Sequence, residues 1–374
     1  MTSRDSFRGR SFVFLSSRNG PSLGRIERRL LKVMEALAEH GADVHFICPP
    51  DSPAVVPARE AGVDVAAYRL TKANYLRTRS RVRKFLLRYD PVIAHSTGFE
   101  ADVLLRMSAE GLPVKVVNSV HCAAWPRRRT SRSSATLRKR LDAKTFARID
   151  VLTADCSWIA EQLVEAGLHV RRLVIDPPSV DLARVYREAE QAVTLPPSKG
   201  PWVGYAGRLE RARGLGTLVD AYPRLAASHS GVRVALAGEG PARADLRHLA
   251  TPGVFWLPGK VASVPAVLSR LDVCCFPSVS PGVPTSLLEA AALGRPIVAS
   301  RVPGVADLFA DGREVALVPP GDPDALASAV SELLGDPERG ERMGERARLR
   351  TVDEYGSWAA VGRYLELYRA LTAE

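Results

Sequence analysis

Short β-branched runs alternate with amphipathic helical stretches along almost the whole chain, and no other feature of the sequence restricts the fold so strongly. In the first half, "SFVFLSS", "DVHFICPP", "PVIAHST", "VKVVNSVH", "RIDVLTAD" and "RLVIDPP" read as strands. In the second, "WVGYAG", "VRVALAG", "VFWLPG", "VCCFPS", "PIVAS" and "VALVPP" do. The stretches between them follow the helical period. In "IERRLLKVMEALAEHG", Leu30, Val33, Met34 and Leu37 fall on one face and Gly41 supplies a stop. Strands separated by helices pair in parallel and take helices on both faces. The expected fold class is therefore α/β, with two doubly wound domains in series, which suits a chain of 374 residues. The alternation lapses in "SVDLARVYREAEQAVTLPPSKG". The expected domains thus run over 1–183 and 184–354, with a final helix in 355–374.

The formal net charge is +11, much of it in two runs, Leu76–Asp90 and Arg127–Arg140. Such runs attract anionic lipid, an acidic substrate or nucleic acid, or they are an arginine-rich bias on solvated helices. Neither run belongs to a recognisable nucleic-acid module, so no nucleic-acid partner is expected. The five cysteines, Cys48, Cys122, Cys156 and the adjacent Cys274 and Cys275, show no CxxC spacing. That argues against a metal centre or a disulfide framework and for a reducing compartment. The opening "MTSRDSFRGRSFVFLSS" has too short an apolar run for a signal peptide. No segment reaches the ~20 apolar residues that span a bilayer. The expectation is a soluble cytoplasmic protein, with peripheral contact to an anionic inner membrane face as the further option.

Ligands of open α/β sheets bind beyond the carboxyl ends of the strands, where loops lead into helix N-termini. In "VGYAGRLERARGLGTLVDAY" a strand ends at Ala206 and a helix starts near Gly214–Thr217, so Arg208 and Arg213 flank a helix N-terminus. Two guanidinium groups beside free amides suit a diphosphate; two solvated loop arginines are the alternative. Gly238-Glu239-Gly240 follows the next strand and Gly259-Lys260 the one after, so three successive strands present glycine at one edge. Such turns let a base or a ribose lie against backbone, although each alone reads equally as a tight turn.

The loop "VSPGVP" leads into a helix starting near Pro284, where Gly282, Val283, Thr285 and Ser286 offer amides to an anion or to sugar hydroxyls. Glu289 follows one turn later, a lone carboxylate among leucines and alanines. A buried carboxylate needs partners, and a pair of vicinal ribose hydroxyls would serve.

Taken together, "GYAGRLERARGLGTLVDAY", "LAGEGPARADL", "LDVCCFPSVSPGVPTSLLEAAALGRPIVAS" and "VPGVADLFADGREVALVPPGDPDALASAV" resemble the nucleotide-sugar domain of the retaining glycosyltransferase family 4. "IERRLLKVMEALAEHGADVHFIC", "VNSVHCAAW" and "CSWIAEQLVEAGLHVRRLVIDPPSVDL" resemble its acceptor domain, and the last helix resembles its crossover back to the first domain. The resemblance implies the GT-B fold: two facing Rossmann-like domains, the active site in their cleft, and a C-terminal crossover helix. It implies retaining transfer from an NDP-sugar, with UDP-glucose or UDP-N-acetylglucosamine as the best match. The acceptor would be a hydroxyl of a glycan, a lipid or a small natural product, and neither cofactor nor metal would be needed.

The resemblance also assigns residues. His121, Arg208 and Arg213 form the catalytic set. Arg208 and Arg213 hold the donor diphosphate, Arg213 in place of the more usual lysine, and Gly20 of the first loop approaches it. Glu289 is the ribose-binding second glutamate of a paired signature. His121, Gly282, Val283 and Thr285 meet the transferred sugar, and Gly238, Lys260 and Val261 meet the base.

One position departs from the family. The first glutamate of the pair should stand at Pro281, which has neither a carboxylate nor an amide donor. The usual sugar contact is then lost or supplied by Ser280, Thr285 or a first-domain residue. Asp322-Pro-Asp324 spells the metal signature of other glycosyltransferases, but its place before "ALASAV" suits a helix cap. Two rival readings follow. A non-catalytic partner protein that keeps nucleotide binding is favoured by Pro281 and opposed by the intact Arg208, Arg213, Glu289 and His121. Another GT-B enzyme, such as a nucleotide-sugar epimerase, is the second.

Overall fold

A computed structural model describes residues 7–18, 20, 23–68, 75–121, 144–249, 251 and 253–373, with the side chains of 75 and 76 excepted. The basic run Arg127–Arg140 and Cys122 lie outside the described residues. The chain divides into one unit of residues 1–176 and 358–374 and a second of 177–357, against sequence-expected boundaries after 183 and 354.

The first unit carries a seven-stranded parallel sheet. Its strands are β1 (Ser11–Ser16), β2 (Asp43–Cys48), β3 (Asp64–Ala67), β4 (Ile93–Thr97), β5 (Lys115–Val120), β6 (Val151–Ala154) and β7 (Leu173–Ile175), in the order β3-β2-β1-β4-β5-β6-β7. A strand covered on both faces must be apolar at successive positions, and "FVFL" in β1 shows why. Phe12 and Phe14 pack with Leu30, Val33, Met34 and Leu37 of the helix Arg25–Glu39. Val13 and Leu15 turn to the other face, against Val82, Leu86, Leu104 and Leu105. The helix Ser357–Ala373 adds Tyr364, Tyr368 and Leu371 to the Phe12 side. Each such buried side chain contributes ~1.5–3 kcal/mol. The sequence pattern did not suggest β3: it is a four-residue edge strand with no fully buried position.

The second unit carries a six-stranded parallel sheet in the order β10-β9-β8-β11-β12-β13. These strands are β8 (Trp202–Ala206), β9 (Arg233–Ala237), β10 (Phe255–Trp256), β11 (Val273–Phe276), β12 (Ile297–Ser300) and β13 (Ala316–Val318). In each sheet the order reverses at one place, between β1 and β4 and between β8 and β11. Ligands of open α/β sheets settle at such a reversal.

Cys48, Cys274 and Cys275 are buried free thiols. Cys156, in contrast, is disulfide-bonded, which corrects the expectation of reduced thiols: a missing CxxC spacing does not exclude a pair formed between distant cysteines. Among the described residues, no helix is long and apolar enough to cross a membrane.

Candidate functional site

In the second unit, four consecutive loops meet along the carboxyl edge of the sheet. After β8 the chain runs through Gly207 to a single 3-10 turn, Arg211–Arg213, and then to the helix Leu215–Ser228. A Cβ on Gly214 would stand 2.0 Å from the Pro277 carbonyl oxygen, and the Val279 amide donates to Ala212 O at 3.0 Å. The loops after β8 and β11 therefore touch backbone to backbone. On the opposite side, a Cβ on Gly238 would lie 1.8 Å from the Gly207 oxygen, so glycine is required there for the loops after β8 and β9 to close up. Gly238 in turn donates its amide to Gly259 O at 2.8 Å, and the Lys260 amide donates to the Glu239 carboxylate at 3.2 Å.

The two arginines of the first loop differ. Arg208 is 73% exposed and its Nε lies 2.5 Å from Glu210; Arg213 is half-buried at the head of the helix Leu215–Ser228. Beneath them lies Tyr205, whose hydroxyl donates to the Arg208 carbonyl at 3.1 Å. Burial raises the Tyr205 pKa, while Arg213 and a hydrogen bond with Ser286 work the other way. Tyr205 thus links the arginine loop to the start of the helix Thr285–Ala292, where Glu289 also bears on it. Sequence reading singled out neither Tyr205 nor its hydrogen bond to Ser286. The one available signal was a hydroxyl at a buried strand end.

The helix Thr285–Ala292 starts one residue later than expected, with Pro284 as its N-cap and no side-chain cap. Gly282 donates its amide to Pro303 O at 2.8 Å, so in this structure that donor serves the loop after β12. Val283 and Thr285 are half-buried, as is Val261, whereas Lys260 is exposed. Glu289 is 6% exposed, and its carboxylate takes a hydrogen bond from Arg184 on the helix Leu182–Ala189. Arg184 also bonds Glu188 at 2.8 Å. Burial works against the Arg184 charge, but Glu289 and Glu188 outweigh it and raise its pKa. The buried carboxylate therefore has a protein partner that the sequence reading missed. Asp322 caps the helix Pro323–Gly335 through the amides of Asp324 and Ala325, at 3.0 and 2.9 Å.

The first unit holds the remaining two expected residues. Gly20 is an exposed loop residue after β1, and His121 follows β5 with 7% exposure. His121 lies in a buried polar network along the ends of β4 to β7. Its Nδ1 is 2.8 Å from Asp155 Oδ1, and its Nε2 is 3.3 Å from Thr97 Oγ1. Asp155 also faces Arg25 at 3.1 Å and Arg29 at 3.9 Å. Arg29 reaches on to Asp176 at 2.7 Å, which Arg363 holds from the helix Ser357–Ala373 at 3.0 Å. Burial pulls the His121 pKa below its usual value, and Asp155 offsets only part of that pull. Burial also opposes the Asp155 charge, but His121, Arg25 and Arg29 together hold its pKa well below the carboxylate range. Beside this network, His95 bonds Tyr368 at 2.6 Å and Ser119 at 2.7 Å, and burial lowers its pKa to about 3.

Residues 24–179 match the family model of the glycosyl transferase 4-like domain, and residues 200–336 match that of glycosyl transferases group 1. The chain is 32% identical over 179 residues to the alpha-D-kanosaminyltransferase of Streptomyces kanamyceticus, covering 46% of each chain. It is 34% identical over 189 residues to the alpha-maltose-1-phosphate synthase of Mycolicibacterium smegmatis, covering 46% of this chain and 49% of that one. A 2-deoxystreptamine glucosyltransferase of Streptomyces kanamyceticus is 30% identical over 216 residues, 54% of this chain and 56% of that one. The chain thus spans about half the length of the curated relatives it matches. Among solved structures, sucrose-phosphate synthase from Thermosynechococcus elongatus superposes with a TM-score of 0.76 at 18% identity, covering 97% of this chain and 99% of that one. Anabaena Alr3699/HepE in complex with UDP gives 0.75 at 16% identity, covering 96% and 100%. Both likenesses are of fold.

Proposed function

We propose, for a chain that belongs to the GT-B glycosyltransferases by its group 1 and 4-like domains, that it transfers a sugar with retention from an NDP-sugar to a hydroxyl acceptor without a metal ion. One observation carries the reading: Arg213, Ser286 and Glu289 all bear on the single buried hydroxyl of Tyr205 at the reversal point of the second sheet. In this reading Arg208 leaves Glu210 for the donor diphosphate, and Arg213 joins it. Together with helix N-terminal amides they stabilise the charge that develops as the diphosphate departs. Glu289 receives the ribose hydroxyls while Arg184 holds its carboxylate in place, and Gly238, Lys260 and Val261 border the base. Gly20 approaches the phosphates, and His121, Val283 and Thr285 meet the transferred sugar. UDP is the favoured nucleotide, since a neighbour of the same fold binds it. A small hydroxyl-rich natural product is the favoured acceptor, because one relative is a 2-deoxystreptamine glucosyltransferase.

Thermal unfolding with UDP, GDP and ADP, and then with their sugars, tests this reading. At one hundred times its dissociation constant, the true nucleotide should add ~2.7 kcal/mol. No response to any of the three would end the donor assignment. Pro281 favours a second reading, a partner protein that binds nucleotide without turnover. Pro281→Glu should reorder the donor sugars of an enzyme. Silence of both forms across a donor panel with hydroxyl acceptors would favour the partner protein.

The exposed stripe Arg77, Arg81, Lys84 and Arg88 supports a peripheral contact with an anionic cytoplasmic membrane face. Sedimentation with phosphatidylglycerol vesicles, lost as salt rises, is the expected result.

A further inference from the structure

We propose that Asp155 is a positioning residue for His121, fixing the ring proton on Nδ1 so that Nε2 stays a hydrogen-bond acceptor. The proposal rests on the reading of His121 as a sugar contact. Nδ1 faces a carboxylate oxygen at 2.8 Å, and an ionised carboxylate only accepts. A neutral ring in that contact must therefore carry its proton on Nδ1, which places the lone pair on Nε2. There it meets Thr97 Oγ1 at 3.3 Å, a long contact that a substrate hydroxyl can displace.

Among the described residues, the titratable and polar groups that face the ring can be named. Asp155 comes from the end of β6, Arg25 and Arg29 come from the helix Arg25–Glu39, and Thr97 and His95 come from β4. Among these described groups, the charged ones other than Asp155 are Arg25 and Arg29, both cations. They oppose protonation of the ring while pinning the carboxylate that orients it. This has a consequence for selection. An Nε2 acceptor welcomes a hydroxyl or ammonium proton and rejects a carboxylate or phosphate, so His121 reads a neutral sugar hydroxyl and does not act as a cation for the diphosphate. That division separates it from Arg208 and Arg213. Asp155 lies in "TADCSW", where its sequence neighbours gave no hint of the role.

Nitrogen-15 NMR of the full chain with labelled histidine tests the assignment directly, with His121→Gln identifying the resonance. At pH 7 the expected spectrum is a neutral ring protonated on Nδ1. A proton on Nε2, or a charged ring, overturns the proposal. Kinetics with UDP-glucose and then the other members of the donor panel supply the second test. Asp155→Asn should lower kcat at least about tenfold with donor KM within about twofold, because an amide supports either tautomer. Losing the carboxylate also lowers the ring pKa further, so the acid limb of the pH profile should move to lower pH, and Asp155→Glu should recover part of kcat. Unchanged kcat in an Asp155→Asn protein whose ring proton has left Nδ1 overturns the positioning role. Full turnover by His121→Ala is a different failure. It removes the sugar-contact reading, and with it any catalytic role for Asp155, whatever the tautomer measured.

Discussion

At the carboxyl edge of β8 to β11, loops meet through backbone and leave Arg208 toward solvent and Arg213 half-buried, whereas at the edge of β4 to β7 the cations turn inward onto carboxylates. Arg208 is 73% exposed beside Glu210, while Arg29 is buried between Asp155 and Asp176. Both edges belong to parallel sheets with one reversal of strand order, so topology alone does not separate them. The difference lies in what the charges already hold. An edge whose cations are only loosely engaged can give them to a mobile anion at small cost. An edge whose cations are locked in pairs serves as scaffold, and among its described groups His121 lies against that scaffold.

The largest expected effect breaks the locked edge. Asp176→Ala takes a carboxylate from the buried Arg29 and from the half-buried Arg363, and urea unfolding should show a loss of about 3–5 kcal/mol. A loss under ~1 kcal/mol would mean that this edge is not locked, and the contrast would collapse. Next comes the open edge: Arg213→Ala should weaken UDP binding by ~1.5–3 kcal/mol in calorimetry, with far less effect on unfolding. Equal affinity in the variant would deny the open edge its anion.

The next effect is set by pH and is smaller over any single pH unit. His95 has a folded pKa of about 3 against an ordinary value of 6.5, so between these values the unfolded chain binds the proton that the folded chain refuses. Stability should therefore fall as pH drops through that window, by up to ~1.4 kcal/mol per unit from this ring. His95→Gln should flatten the slope of stability against pH, and an unaltered slope would place its origin elsewhere. The smallest effect is a control within the open edge. Arg211 is 83% exposed and pairs outward with Asp245. Arg211→Ala should change stability by less than ~0.5 kcal/mol and leave UDP binding as it was.

These contrasts also separate what the sequence made legible from what it did not. The strands of the second unit could be read because each is a mostly apolar run followed closely by glycine, proline or serine, as in "VCCFPS". β3 could not, since "DVAA" at a half-exposed edge has neither a full apolar run nor clean alternation. Arg208, Arg213 and Glu289 stood out because of their places in strand–loop–helix units. The partners did not. Arg184 lies 105 residues from Glu289 and Asp155 lies 34 from His121, and neither distance leaves a local trace in the chain. Only the folded sheets make those pairs.

The helix Ser357–Ala373 carries a consequence for synthesis. It supplies Tyr364, Tyr368 and Leu371 to the core around Phe12 and Phe14, and Tyr368 holds His95. A ribosome that has finished residues 1–176 has yet to make any of these, because all of 177–357 comes first. At ordinary elongation rates of ~5–20 residues per second, that interval lasts roughly 10–40 s. Through it the nascent first unit lacks the side chains that cover Phe12 and Phe14, and His95 has Ser119 but not Tyr368 as a partner, while the second unit can close on itself as soon as it emerges. The part of the molecule translated first is completed last, and it is the part that would recruit a chaperone.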